Sequence, residues 1–200
     1  MKEIAGGVWN WTTTHERFGI PLQSYYVVDG DEAVVIDPRI PDEGLEWFDG
    51  RPRPLAALLT NRHHYRHSDR FRERFGAAVR CHSAGMHEFT AGEEVEPFEF
   101  GDALPAGFVA REMGVLCPEE TALHHAERGV LALGDAVVRN PDGLGFVPEE
   151  HLGDDPDAVK RGLRASAARL LELEFSHLLL AHGEPFPEVG REKLESFARG

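Results

Sequence analysis

Apolar and polar positions alternate along the chain in blocks that predict a strand-rich protein with few helices. From Ser24 to Pro38 the sequence SYYVVDGDEAVVIDP sets two β-branched and aromatic runs on either side of Asp29-Gly30-Asp31-Glu32, which predicts an antiparallel hairpin. Pro41 to Phe48 suits a short helix, and RPRP from Arg51 to Pro54 punctuates the chain before LAALLT, a short apolar run of buried-strand type. Ser68 or Asp69 can cap a helix to about Phe75 with Gly76 as its stop, and AAVRCHS resumes as a strand. Weak alternation from Glu93 to Met113 predicts further sheet without defined boundaries. Thr121 to Val138, TALHHAERGVLALGDAVV, predicts a second hairpin about Glu127-Arg128-Gly129. Asp155-Pro156 then opens an amphipathic helix, DAVKRGLRASAARLLEL, followed by the strand HLLLAHG and a helical segment from Arg191 to Arg199. This order predicts sheets covered by helices in one α/β domain over residues 1–200.

Composition narrows the function classes. A chain of 200 residues fits one domain and can bury roughly two thirds of its unfolded surface. Acidic residues outnumber basic ones by 35 to 21, for a formal charge of −14, which argues against a general nucleic-acid or anionic-membrane surface while leaving room for a local basic pocket. The first twenty residues lack the apolar core of a signal peptide, and no apolar run approaches the ~18 residues of a membrane span, so a cytoplasmic protein is expected. Cys81 and Cys117 are far apart and form no CxxC pair, as expected of reduced, buried thiols.

The candidate chemistry is concentrated in ALLTNRHHYRHSDRF, from Ala57 to Phe71, where three histidines and three arginines follow an apolar run. Histidine at this density points to metal. His63, His64 and His67 follow one predicted strand, Asp135 follows GVLALG, and His182 follows HLLLA. Three such strand ends can converge at one edge of a sheet, where sites of α/β proteins form. His124 and His125 are neighbours on one predicted strand and so point to opposite faces. His15, beside Trp9 and Trp11, reads as exposed or packed, and Trp47 as core. No nucleophile elbow, phosphate-cradling glycine loop or paired CxxC is present.

VIDP, LLTNRHHYRHS, VLCPEETALHH, LALGDAVV and LLLAHGEP occur in an order that resembles the metallo-β-lactamase fold hydrolases over nearly the whole length. The resemblance implies a four-layer αββα sandwich with its site at one edge. In that family a Thr-His-x-His-x-Asp-His loop, a later turn histidine, a bridging aspartate and a final histidine hold two metal ions. Carried over residue by residue, the loop ligands fall on Asn61, His63, Tyr65 and Arg66, the turn histidine on Leu116, the bridging aspartate on Asp135 and the final histidine on His182. Only His63, Asp135 and His182 keep their ligand types.

Too few ligands remain for two-metal hydrolysis, and Tyr65 stands where the carboxylate that handles the attacking water would be. The leading expectation is a divergent, hydrolase-like member with no resident metal, an Arg66 to Asp135 ion pair in place of the ion, and Asn61, Tyr65, His63 and Leu116 around it. Such a pocket would bind a small molecule with help from Arg62, His64 or His67. The alternative is a hydrolase of an ester, thioester or phosphoester using one zinc, iron or manganese ion on His63, Asp135 and His182, the ligands such an ion accepts, or an ion toward which His64 or His67 swings in, His67 sharing the face of His63 if the loop is helical. Neither a nucleic-acid nor a membrane partner is expected, and the sequence leaves the oligomeric state open.

Overall fold

The computed structural model describes residues 1–200. Strands β1 (Lys2–Ala5), β2 (Val8–Thr14), β3 (Pro21–Asp29), β4 (Glu32–Ile36), β5 (Pro54–Leu58), β6 (Ala78–His82) and β7 (Glu96–Phe98) lie side by side in sequence order as one sheet. The first four strands are antiparallel, and the hairpin predicted at Asp29 closes there, with Gly30 at φ 58°. Strands β4 to β7 are parallel, which requires crossovers. Helix α1 (Ser68–Phe75) supplies one of them and ends at Gly76, left-handed at φ 71°.

The second sheet has β8 (Val109–Glu112), β9 (Thr121–His125), β10 (Val130–Leu133) and, after a small ribbon of β11 (Val138–Asn140) and β12 (Gly143–Gly145), β13 (His177–Leu180). Its order is β13-β10-β9-β8, with β13 parallel to β10. Helix α2 (Pro156–Leu170) is capped by Asp155, whose Oδ1 accepts the Ala158 N–H at 2.9 Å, and α3 (Gly190–Arg199) closes the chain. No helix is long and apolar enough to cross a membrane.

The alternation of side chains decides the layering. On the first sheet Val34, Ile36 and Leu58 face the interior of the sandwich, where they meet Leu123, Val130, Ala132 and Leu179 of the second sheet. Their sequence neighbours Ala33, Val35 and Ala57 point the other way, into a cluster with Phe71 of α1 and Phe48. On the second sheet Leu131, Leu133, Leu178 and Leu180 turn outward against Leu163, Ala167 and Leu170 of α2 and Leu194 and Phe197 of α3. The three apolar clusters thus lie between four layers, stacked as helix, sheet, sheet and helix. Each large side chain among them contributes ~1.5–3 kcal/mol by leaving water.

Two parts of the sequence reading change. Strands β1 and β2 were not predicted, because VWNWTTT alternates poorly: Val8 and Trp11 are buried, and Thr12 and Thr14 are exposed. The short helix expected over Pro41 to Phe48 is a single 3-10 turn, Leu45–Phe48, entered through Gly44 at φ 77°.

One edge of the sandwich gathers four strand ends: Asp37 after β4, Thr60 to Arg66 after β5, Gly134 to Ala136 after β10, and Ala181 to Gly183 after β13. Bonds between the sheets fix this edge. The buried Tyr25 hydroxyl donates to Leu180 O (2.7 Å) and accepts from Leu180 N (3.0 Å), Gln23 N donates to Ala181 O (3.0 Å), and Thr121 N donates to Thr60 O (2.8 Å).

Candidate functional site

After β5 the chain makes one 3-10 turn, Arg62–His64, capped by Asn61, whose Oδ1 accepts the His63 N–H at 2.9 Å. Such a turn has about three residues per revolution, so adjacent side chains diverge by about 120°. His63 therefore points to solvent while His64 points inward and is 5% exposed. His64 Nδ1 lies 2.9 Å from Asp37 Oδ2, and its Nε2 lies 3.1 Å from Asp135 Oδ1. His182 Nε2 reaches the same Asp135 oxygen at 3.0 Å. The three donor atoms lie within 4.8 Å of one another.

A second ring of contacts holds these side chains. Thr60 gives Asp37 its N–H (2.9 Å) and its hydroxyl (2.6 Å), so Asp37 is fixed before it meets His64. In the neutral ring the Asp37 contact assigns the proton to Nδ1 and turns the Nε2 lone pair toward Asp135, whereas the protonated ring donates to both carboxylates. Asn61 Nδ2 donates to Asp135 Oδ2 at 3.0 Å. Glu120 Oε1 accepts the N–H groups of Asp135 (2.7 Å) and Ala136 (3.1 Å) and so fixes the loop that carries the carboxylate. Gly134 is required there, because a Cβ would come within 2.6 Å of both Glu120 Oε1 and Thr60 Oγ1.

The charges are strongly interdependent. Burial opposes charge on His64, but Asp135 and Asp37 on either side push the ring up to about 9. Burial would raise the Asp135 carboxyl, yet the His64 and His182 rings hold it well below the usual carboxylate range. Glu120 goes the other way, raised by its burial and by the charge of Asp135.

Of the residues singled out in the sequence, Asn61, His64, Asp135 and His182 come together, and His63 stays outside. Tyr65 packs on the outer face of the first sheet, with its ring 5.9 Å from that of Phe89. Leu116 packs against the cluster between the second sheet and its helices. Arg62 pairs with buried Glu119, and His67 accepts the Ile40 N–H at Nδ1 (3.0 Å). Arg66 turns inward but forms no ion pair with Asp135: its Nη1 donates to Gln23 O (2.6 Å) and Asp37 O (2.8 Å). His64 takes the place at the carboxylate that the sequence reading gave to Arg66. His124 and His125 do lie on opposite faces of β9, against Glu174 O and Phe108 respectively. Sequence reasoning missed Asp37, Thr60 and Glu120. Asp37 alone carried a signal, as the acid of VIDP at the end of a strand.

The chemistry of the donors fits one metal ion. Asp135 Oδ1 is buried and has two imidazole nitrogens within 3.1 Å, a spacing that suits protonated rings or ligands of a shared cation. This is the arrangement of atoms that share a cation, and the Asp37 to His64 contact is the carboxylate that commonly orients a ligating imidazole. Asn61, Tyr65, Arg66 and Leu116 stand at the further positions the sequence comparison singled out, and none is a histidine or a carboxylate.

No protein-family model and no curated protein matches the sequence. Solved structures do match the fold over almost the whole chain. A metallo-β-lactamase family protein from Thermus thermophilus is 20% identical, with 98% of this chain and 80% of that one covered at a TM-score of 0.69. The protein TTHA1623, solved in a di-iron-bound form, is 23% identical over 92% of this chain and 98% of its own, with a TM-score of 0.70. The metallo-β-lactamase FIM-1 from Pseudomonas aeruginosa, solved in a mono-zinc form, is 16% identical over 98% and 93%, with a TM-score of 0.71. With two face-to-face sheets, helices outside and the histidine cluster at one edge, the chain has the metallo-β-lactamase fold.

Proposed function

We propose that the chain holds one metal ion on His64, Asp135 and His182 and hydrolyses a small ester, thioester or phosphoester. The observation that carries this reading is Asp135 Oδ1, buried between the Nε2 atoms of His64 and His182 at 3.1 and 3.0 Å. When both Nε2 atoms are unprotonated, lone pairs held this close repel one another unless a cation lies among them. Two histidines and one carboxylate suit zinc, iron or manganese with positions left open. The metal, when bound, supplies Lewis acidity toward a carbonyl or phosphoryl oxygen.

The chain's own residues orient that site. Asp37 sets the His64 tautomer, Asn61 occupies Asp135 Oδ2 and leaves Oδ1 free, and Glu120 fixes the loop. The side chains of His182 and Asp135 are 23% and 22% exposed, so water and substrate approach from that side, while His64 is shielded. Structures of the same fold in di-iron and mono-zinc forms support the reading.

A metal-free ligand pocket is the second reading, favoured by the same line of groups. A doubly protonated His64 would bridge Asp37 and Asp135 in place of the ion. The two readings separate in a hydrolysis screen of chromogenic esters, thioesters and phosphoesters with protein loaded with zinc, iron or manganese. Turnover that requires the metal and disappears in His182→Ala supports the first reading. Metal-loaded protein without turnover on any class contradicts it.

A further inference from the structure

Arg66 turns its guanidinium into this edge, where the Nη2 atom is buried. It stands two residues beyond His64 in a left-handed conformation, φ 49°, that a residue with a side chain rarely adopts. Such strain persists where the surroundings hold it, and here the Arg66 guanidinium supplies the hold. Nη1 donates to the carbonyls of Gln23 and Asp37, and Nη2 is buried with no partner. No carboxylate lies in contact with it, so its charge acts on the whole cluster and is not spent on one pair.

Resting on the one-metal reading above, we infer that the Arg66 guanidinium takes the electrostatic place of a second metal ion and limits the site to one. The charges support this. Asp37 and Asp135 bring two negative charges to the cluster and Glu120, raised by its burial, at most a third, so one dication and one guanidinium already meet or exceed them. A second dication beside Arg66 would leave buried positive charge in excess, and burial makes uncompensated charge costly. The guanidinium cannot give up its proton to relieve the repulsion or to become a ligand. Arg66 is therefore a positioning residue. It keeps Asp37 aligned for His64 through the Asp37 carbonyl and lowers the affinity of the cluster for further cations.

The test compares unmodified protein with Arg66→Lys, Arg66→Gln and Arg66→Met by competition for zinc against a chromogenic chelator, with circular dichroism to establish folding. Lysine keeps the charge, glutamine keeps a donor for the two carbonyls without the charge, and methionine keeps neither. The neutral variants are expected to bind zinc at least tenfold more tightly than unmodified protein, and Arg66→Lys to stay within about threefold. Neutral variants that are folded and bind no more tightly overturn the inference. If the unmodified protein binds no zinc at saturating concentration, the one-metal reading fails. That outcome is distinct from unchanged affinity in a protein that does bind.

Discussion

His64 Nδ1 stands 2.9 Å from Asp37 Oδ2, inside a contact that is complete before any metal arrives. Thr60 holds Asp37 through both its N–H and its hydroxyl, so the imidazole is aimed at Asp135 by a preformed support. Loss of such a second-layer carboxylate typically weakens metal binding ~10–100-fold. Asp37→Asn is expected to lose zinc affinity in that range in chelator competition. Unchanged affinity in a folded variant would mean that Asp37 does not orient the ligand.

Gly134 is the tightest point of the loop that carries Asp135. Its Cβ would meet Glu120 Oε1 and Thr60 Oγ1 at 2.6 Å, and both partners are tied to other groups. Gly134→Ala is expected to lower stability by ~1–3 kcal/mol in chemical denaturation and to weaken metal binding. Gly6→Ala, where nothing lies within 4 Å, is the control and should do neither.

Acid should destabilise the protein partly through His125. Its Nδ1 accepts the Arg128 N–H at 3.2 Å, so the neutral ring carries its proton on Nε2, 3.6 Å from Asp29 and buried against Phe108. Burial holds its pKa below the ordinary value, with Arg128 and His124 acting in the same direction and Asp29 and Glu127 opposing them. A histidine whose folded pKa is depressed costs stability as pH falls below its unfolded value of about 6.5, because the unfolded chain then binds the extra proton. His125→Asn should flatten the fall in unfolding free energy between pH about 7 and about 5 relative to the unmodified protein. An identical slope in the two proteins would remove His125 as a source of acid sensitivity.

Neither thiol should be reactive. Burial pushes Cys81 up to about 12 and Cys117 up to about 11, with Glu119 adding to both. Since the thiolate is the nucleophile, alkylation by iodoacetamide at pH about 8 should run at least tenfold slower in the folded than in the unfolded protein. Cys117, the less buried of the two, should react first. Rapid labelling of Cys81 in folded protein would contradict this packing.

Local pattern made much of the fold legible. The hairpins about Gly30 and Gly129, the cap at Asp155 and the stop at Gly76 each depend on residues within a few positions, and each forms where the sequence places it. Strand β2 escaped because only Val8 and Trp11 of its seven residues are buried, so pairing with β3 decides it more than its own composition does. At the site the sequence located the histidine cluster but not the phase within it. His63 and His64 are adjacent, and the 3-10 turn set by the Asn61 cap determines which one enters. Asn61 as a cap was the signal available for that choice. Glu120 was hidden by its neighbour, because two successive acids read as solvated surface, whereas both are buried, one on Arg62 and the other on the Asp135 loop.

A one-metal site stands or falls on the metal content of the purified, untagged protein, measured by elemental mass spectrometry after dialysis against trace zinc, iron and manganese. Close to one metal per chain is expected in the unmodified protein and in His63→Ala, and close to none in His64→Ala and His182→Ala. Stoichiometry near zero in folded, unmodified protein would contradict the one-metal site and leave the protonated His64 bridge between Asp37 and Asp135 as the state of this edge.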